Sequence, residues 1–391
     1  MPSILFINRV YPPSSGATGE MLCQLAEALA ARRWDVTILA TDTGGVPKTG
    51  LRNGVRILRA GGLFSRKSTP LRALSYACMI PWLLIRALLL PRTDFIVTMT
   101  DPPMLAVIGP VLAFFKKNKI VHWAQDIYPE VAEELEVLPS GGVLARVLRA
   151  VSSFALQRYD AVVSIGRCMT QRLIGRGILP ARIRLIPNWA PPIVPRDKFN
   201  NPFRRQQGLE GDFVVAYSGN MGLAHDFDAI LTAAESLRGR HIVFLMIGEG
   251  PRRAEIQSAA ISRGLDNMRF LPSQAPNKLS ESLSAADAHL VTMRPPLCGL
   301  VVPSKFYGVL AAGRPCLFVG PKESEVAISL GEQDAGMVID PKNPSALAAA
   351  ILDWAMDPVD HAAACRRARI AGASATISSR VGDFEEMLRG L

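Results

Sequence analysis

The sequence predicts an α/β protein of two domains, each organised on a parallel sheet. Three observations carry that expectation. Short apolar runs such as Ile4–Ile7, Val36–Ala40, Phe213–Tyr217 and Cys316–Val319 have the character of strands buried on both faces. They alternate with helical segments, which is the grammar of βαβ units. At 391 residues the chain exceeds what one core holds, so two cores are expected. The most proline-dense stretch, Ala190-Pro191-Pro192-Ile193-Val194-Pro195, lies near the middle and reads as the linker. The expected division is 1–190, 191–375 and a closing helical segment, 376–391, that folds back on the first domain.

Composition is that of a globular protein, with 49% apolar and 20% charged residues and no short-period repeat. Six cysteines include no C-x-x-C pair, and none of the five histidines has metal-ligand spacing. Neither a disulfide framework nor a zinc site is indicated, so no metal and no cofactor is expected. Met-Pro-Ser-Ile-Leu-Phe runs straight into a strand rather than into a signal peptide, and a cytoplasmic setting is expected. Charge is lopsided: residues 1–195 carry 23 Lys+Arg against 12 Asp+Glu, and the rest carry 21 against 22. A basic first half suits nucleic acid or an anionic membrane surface. Interleaved aromatics and base-reading motifs are missing, so no nucleic acid is expected and the membrane is the better partner.

In the first half, the strand Ile4–Ile7 leads into a Gly/Ser-rich loop, Asn8 to Gly19, that contains Tyr11 and Gly16. An open α/β sheet places its ligand at such a loop, although a plain βα connection reads the same way. Leu71 to Leu90 is the most apolar stretch. Arg72 and Arg86 leave too few uncharged residues to span a bilayer, so it is either a buried crossover helix or a segment lying in the membrane interface. Val111 to Phe115, followed by Lys116-Lys117-Asn118-Lys119, is a second candidate for membrane contact. Two further strands end in loops holding Asp101, His122, Asp126, Tyr128 and Glu130. These groups suit sugar hydroxyls or proton transfer. Equally, Asp126 is a helix cap and His122 a satisfied core residue.

In the second half, Ser218-Gly219-Asn220-Met221-Gly222 follows a strand, and its glycines let the backbone approach a ligand. Gly248-Glu249-Gly250-Pro251-Arg252 follows the next. Pro303-Ser304 starts a helix with Lys305 in its first turn and Gly313 and Pro315 at its end. A first-turn lysine opposes the helix dipole unless an anion bridges the two. These are parts of a nucleotide-diphosphate site, without a P-loop or a G-x-G-x-x-G fingerprint.

Five motifs then come together: Tyr11-Pro12-Pro13…Gly16, Ile186-Pro187-Asn188-Trp189, Tyr217-Ser218-Gly219-Asn220-Met221-Gly222, Ile247-Gly248-Glu249-Gly250-Pro251 and Pro303-Ser304-Lys305…Gly313-Arg314-Pro315. In this order the chain resembles a family 4 glycosyltransferase of GT-B architecture nearly end to end. His122-Trp-Ala-Gln-Asp126-Ile-Tyr128-Pro129-Glu130 resembles a subgroup of N-acetyl-fucosaminyl and fucosyl transferases in bacterial surface-polysaccharide assembly. The resemblance implies two Rossmann-like domains facing across a cleft, with donor bound by the second and acceptor by the first. It also implies transfer with retention and without a metal, from a nucleotide sugar that is expected to be UDP-linked. The asymmetry of charge and apolar stretches adds the expectation of a glycan or polyprenyl-diphosphate-linked acceptor on the cytoplasmic leaflet. The enzyme would sit peripherally at the inner face of the plasma membrane. Gly16, Ser218, Gly219, Asn220, Gly222, Arg252, Ser304, Lys305 and Glu325 are the implied donor contacts. Tyr11, Asp101, Tyr128 and Glu130 are the implied acceptor contacts, and Asp126 and His122 the implied catalytic pair.

One departure stands out. Where much of the family carries a second glutamate that holds the ribose, this chain has Gly308, with Glu325 as the candidate substitute. A non-hydrolysing sugar-nucleotide epimerase and a non-catalytic membrane-associated partner subunit are the competing readings.

Overall fold

The computed structural model describes residues 1–13, 16–41, 47–61 and 69–391, with side chains omitted for 69–74. Ser14 and Ser15 of the first loop, and the side chains of Leu71 and Arg72, therefore lie outside the described residues. The chain divides into two compact units. The first comprises Met1–Pro187, Gly299–Val301 and Ile377–Leu391, and the second Asn188–Cys298 and Val302–Thr376.

The first unit holds eight strands: β1 (Ser3–Ile7), β2 (Asp35–Thr41), β3 (Thr49–Arg52), β4 (Val55–Ala60), β5 (Phe95–Thr98), β6 (Lys119–Ala124), β7 (Ala161–Ser164) and β8 (Ile183–Leu185). Their order is β3-β4-β2-β1-β5-β6-β7-β8, parallel except for the β3–β4 hairpin at one edge. That hairpin is absent from the reading above, yet its signal is present. Asn53 (φ 48°) and Gly54 (φ 82°) form the two-residue turn that Asn-Gly favours. The chain reverses direction across the sheet at β1, between β2 and β5, which is where such sheets open for ligands.

The last helix, Ile377–Arg389, belongs to this unit. Phe384 packs on Phe6 and Trp123, with centroids 6.2 and 5.8 Å apart. Glu385 accepts from Trp34 Nε1 at 2.7 Å and pairs with Arg32 at 2.6 Å.

The second unit holds β9 (Phe213–Ser218), β10 (Ile242–Ile247), β11 (Met268–Leu271), β12 (Ala288–Thr292), β13 (Cys316–Val319) and β14 (Gly336–Ile339), in the order β11-β10-β9-β12-β13-β14, all parallel. Its switch point lies between β9 and β12. The apolar side chains of these strands pack against the helices Asp228–Ser236 and Pro344–Met356, around a core holding Tyr217, Phe227, Phe244 and Trp354. Buried Asp287, at the start of β12, accepts from Arg204 Nη1 (3.0 Å) and the Val214 amide (2.8 Å) and pairs with Lys198. Those cations hold its carboxyl below the usual range despite burial, and they tie the entering chain to the sheet.

Among the described residues, no helix is long and apolar enough to cross a membrane. Thr69–Leu89 is one helix with Pro81 inside it.

Candidate active site

Each unit gathers functional groups at the carboxyl ends of its strands. In the second unit the organising feature is a pair of stacked glycine loops. Gly219 follows β9 with φ 141°, and Gly248 and Gly250 follow β10 with φ 136° and 149°. A Cβ on Gly248 would lie 2.0 Å from the Gly219 carbonyl oxygen, and one on Gly250 2.5 Å from that of Met221. Only glycine permits both this backbone conformation and this approach. The loops are stitched by Gly219 N–H to Ile247 O (2.9 Å) and Met221 N–H to Glu249 O (2.7 Å).

Lys305 opens the helix Lys305–Ala311, which follows β12, and its tip reaches the first of these loops. A Cβ on Gly219 would be 3.4 Å from Nζ. The ammonium donates to the Tyr217 hydroxyl, sits 3.9 Å from that ring's centroid and lies 3.2 Å from His225 Nε2. His225 Nδ1 is 2.6 Å from the Thr292 carbonyl oxygen, a contact that requires a proton on Nδ1. Nε2 therefore keeps its lone pair toward Lys305 as long as the ring is neutral. Burial, then the Lys305 charge, depress the histidine to about 3. Burial alone brings Lys305 down to about 7. Among the described residues no carboxylate pairs with Lys305. Ser304 precedes the helix without a side-chain capping bond.

Beside this cluster is a recess of about 300 Å³ lined by Leu223, His225, Asp226, Asp228, Arg252 and Arg294. Arg252 is held by Glu255 (2.6 and 3.1 Å) and donates to the His225 carbonyl at 2.8 Å. Ser218, Asn220 and Gly222 belong to the same loop, where the Asn220 carbonyl accepts from the Tyr217 hydroxyl at 2.7 Å. Glu325 starts the helix that follows β13. It is 5% exposed and accepts from Ser329 at 3.2 Å. A Cβ on Gly308 would meet Leu283 and Pro191 at 3.7 Å, which is ordinary contact. The sequence reading left His225 and Arg294 without roles. His225 lies three residues beyond the quoted loop, and its partner Thr292 is 67 residues away.

In the first unit a small pocket is lined by Thr100, Met104, Leu105, Ala106, His122, Ala124, Asp126, Ile127, Tyr128, Ser152, Leu156, Leu173 and Arg176. Asp126 is pushed up to about 7, first by burial and then by Asp101. Ile127 N–H donates to Leu300 O at 2.9 Å, and Asp126 bridges Val301, so the Gly299–Val301 segment closes over this loop. His122 Nδ1 contacts Thr98 Oγ1 at 3.0 Å. Burial and the Arg176 charge depress its pKa to about 3, which leaves it a neutral hydrogen-bonding group. Tyr159 completes that chain, 2.8 Å from Thr98 Oγ1 and donating to Ala106 O at 2.6 Å.

The other first-unit residues fall around this pocket in different ways. The Tyr128 carbonyl accepts from Ser152 at 3.0 Å. Glu130 pairs with Arg176 at 3.3 Å. Asp101 is engaged by Arg9 through two bonds of 2.6 and 2.8 Å, which joins the loops after β1 and β5 at the switch point. Tyr11 is 1% exposed, and burial raises its pKa. Gly16 precedes the helix Ala17–Ala31, where a Cβ would lie 3.3 Å from Val10. Among the described residues, no group of three or more His, Cys, Asp or Glu is placed to hold a metal.

Comparison with known proteins completes the picture. Residues 16–189 match the family model described as glycosyl transferase 4-like domain, and residues 199–371 match glycosyl transferases group 1. The chain is 29% identical over 259 residues to the probable glycosyltransferase WbjE of Pseudomonas aeruginosa, covering 66% of this chain and 65% of that protein. It is 29% identical over 219 residues to the putative colanic acid biosynthesis glycosyl transferase WcaI of Escherichia coli K12, covering 54% and 53%. The matched stretch thus spans between about half and two thirds of these relatives' length. Among solved structures, Anabaena Alr3699/HepE in complex with UDP-glucose superposes with a TM-score of 0.75 at 16% identity, over 100% of both chains. That likeness shows the fold, which is GT-B. With one family model on each half, the chain belongs to the GT-B glycosyltransferases that join a glycosyl transferase 4-like domain to a group 1 domain.

Proposed function

We propose that this chain transfers a sugar, with retention of anomeric configuration, from a nucleotide-diphosphate donor to a glycan or polyprenyl-diphosphate-linked acceptor in cell-surface polysaccharide synthesis. Lys305 carries the reading. A partly buried ammonium with no carboxylate partner among the described residues, set against a glycine loop, is placed to neutralise a diphosphate. Arg252 and Arg294, which line the adjoining recess together with Asp226 and Asp228, are the further cationic side chains within reach of a donor there. The UDP-glucose bound by the Anabaena protein supports a UDP-linked donor. The names of the P. aeruginosa and E. coli relatives support a glycosyltransferase, and that of the second supports polysaccharide synthesis.

In the proposed reaction the bond between the anomeric carbon and the diphosphate oxygen breaks. The acceptor hydroxyl oxygen bonds to that carbon on the same face, and its proton passes to the departing phosphate oxygen. Lys305 stabilises the charge developing on the diphosphate. Asp126, with a pKa near neutrality, accepts a hydrogen bond from the acceptor and orients it. The working location is the cytoplasmic face of the membrane that holds a lipid-linked acceptor.

The test is a transfer assay with a panel of UDP-sugars and a lipid-linked oligosaccharide fraction. One nucleoside diphosphate released per sugar transferred, with loss of turnover in Lys305→Ala, supports the proposal. Interconversion of the donor sugar without nucleotide release would replace the transferase with an epimerase.

A further inference from the structure

Three helices of the first unit, Thr69–Leu89, Ile108–Lys116 and Val143–Leu156, contain not one aspartate or glutamate. They carry Arg72, Arg86, Lys116 and Arg146 and are followed by Lys117 and Arg158, while Arg149 of the third is paired with Glu133 and Glu130 of the preceding helix. Each connects strands that advance in the same direction across the sheet, from β4 to β5, β5 to β6 and β6 to β7. Right-handed crossovers therefore lay all three on one face. They also touch in sequence: the first packs on the second, and the turn Leu105–Val107 that opens the second packs on the third.

The outward surface of this layer is apolar. Trp82, Ile85 and Leu89 are exposed on the first helix, and Phe114 (78%) and Phe115 (65%) on the second. On the third, Val143 (70%), Val147, Val151 and Phe154 fall at helical spacing along one stripe. The Arg158 guanidinium lies 3.2 Å from the centroid of the Phe154 ring.

We infer that this three-helix face docks on the anionic surface of a lipid bilayer. Exposed Trp and Phe beside lysine and arginine match an interface that is apolar below and negatively charged above. A second copy of the chain is a poor occupant, because self-pairing would press basic helices without carboxylates against one another. The placement also serves the candidate site. The buried side of Val143–Leu156 contributes Ser152 and Leu156 to the pocket that holds Asp126, so one helix joins the lipid-facing surface to that pocket. The inference rests on the proposed lipid-linked acceptor.

The test is co-flotation of the full chain with vesicles of phosphatidylcholine alone and of phosphatidylcholine with phosphatidylglycerol, at low and high salt. Two variants, Phe114→Ser/Phe115→Ser and Val147→Glu/Phe154→Glu, change only exposed positions. Expected are binding to the phosphatidylglycerol vesicles, at least tenfold weaker in high salt, and at least tenfold weaker binding by both variants. UDP-induced thermal stabilisation should be unchanged in the variants. No flotation of the wild type, or flotation of both variants equal to it, overturns the inference. So does a self-association that light scattering detects and the variants abolish while vesicle binding persists. A chain that UDP stabilises but vesicles do not retain refutes this inference alone, whereas failure to bind any nucleoside diphosphate refutes the proposed function.

Discussion

Replacing Lys305 with methionine should stabilise the ligand-free protein while abolishing its response to nucleotide. Burial lowers the ammonium to about 7 in the folded chain, against about 10.4 in an unfolded one. Between these values the unfolded state binds more protons, so wild-type stability rises with pH from about 7 to about 10, by up to about 1.4 kcal/mol per unit. At pH 7 the folded protein therefore bears a penalty on the order of 3–4 kcal/mol for holding this group. Methionine removes that penalty and forfeits the bond to Tyr217, worth about 1 kcal/mol. The net expectation at pH 7 is a gain of about 2–3 kcal/mol, or several degrees in Tm.

A bound diphosphate should restore the proton on Lys305. Wild-type binding at pH 8 should then take up a proton, and affinity should fall up to tenfold per unit above about 7. Calorimetry in buffers of different ionisation enthalpy reads the uptake. Binding at pH 8 without proton uptake, or a Lys305→Met protein that binds as the wild type does, would refute the reasoning.

Asp126→Asn should remove the acid limb of the kcat/KM profile near pH 7, with a fall in rate of about 10–100-fold for the loss of a charged hydrogen bond that orients the acceptor. The folded carboxyl titrates above its unfolded value, so folding stability declines between about pH 4 and 7, and the asparagine variant should lose that decline in urea titrations. Gly248→Ala places a methyl group 2.0 Å from the Gly219 carbonyl and should cost more than about 2 kcal/mol, together with nucleotide binding, as thermal melts would show. Gly308→Ala meets only ordinary contacts inside a helix and should stabilise by about 0.5–1 kcal/mol in the same measurement.

What the sequence made legible is local in origin. Apolar runs betray strands buried on both faces, and glycine at loop starts betrays a backbone that must come close to its neighbour. A lysine in the first turn of a helix signals an electrostatic conflict, and in the structure that lysine sits near neutrality beside a glycine loop.

What escaped depends on partners far apart in the chain. Arg9 and Asp101 meet across 92 residues, and His225 owes its tautomer to Thr292, 67 residues away. The segment Gly299–Val301 lies in the second half of the sequence yet packs in the first unit. No periodicity announces that placement. The exposed stripe on Val143–Leu156 was hidden for another reason: its valines and phenylalanine look like core residues until the sheet shows which side they face. The β3–β4 hairpin is different again, because Asn53-Gly54 signalled it in plain view.

The most direct test of the donor site is a thermal-shift screen of the full chain against UDP, GDP, dTDP and ADP, each with EDTA and with magnesium. A site built on Lys305 should give a rise in Tm with UDP that EDTA leaves unchanged and Lys305→Met abolishes, amounting to about 2.7 kcal/mol at a hundredfold excess over Kd. No rise with any nucleotide, or a rise that persists without Lys305, would contradict it.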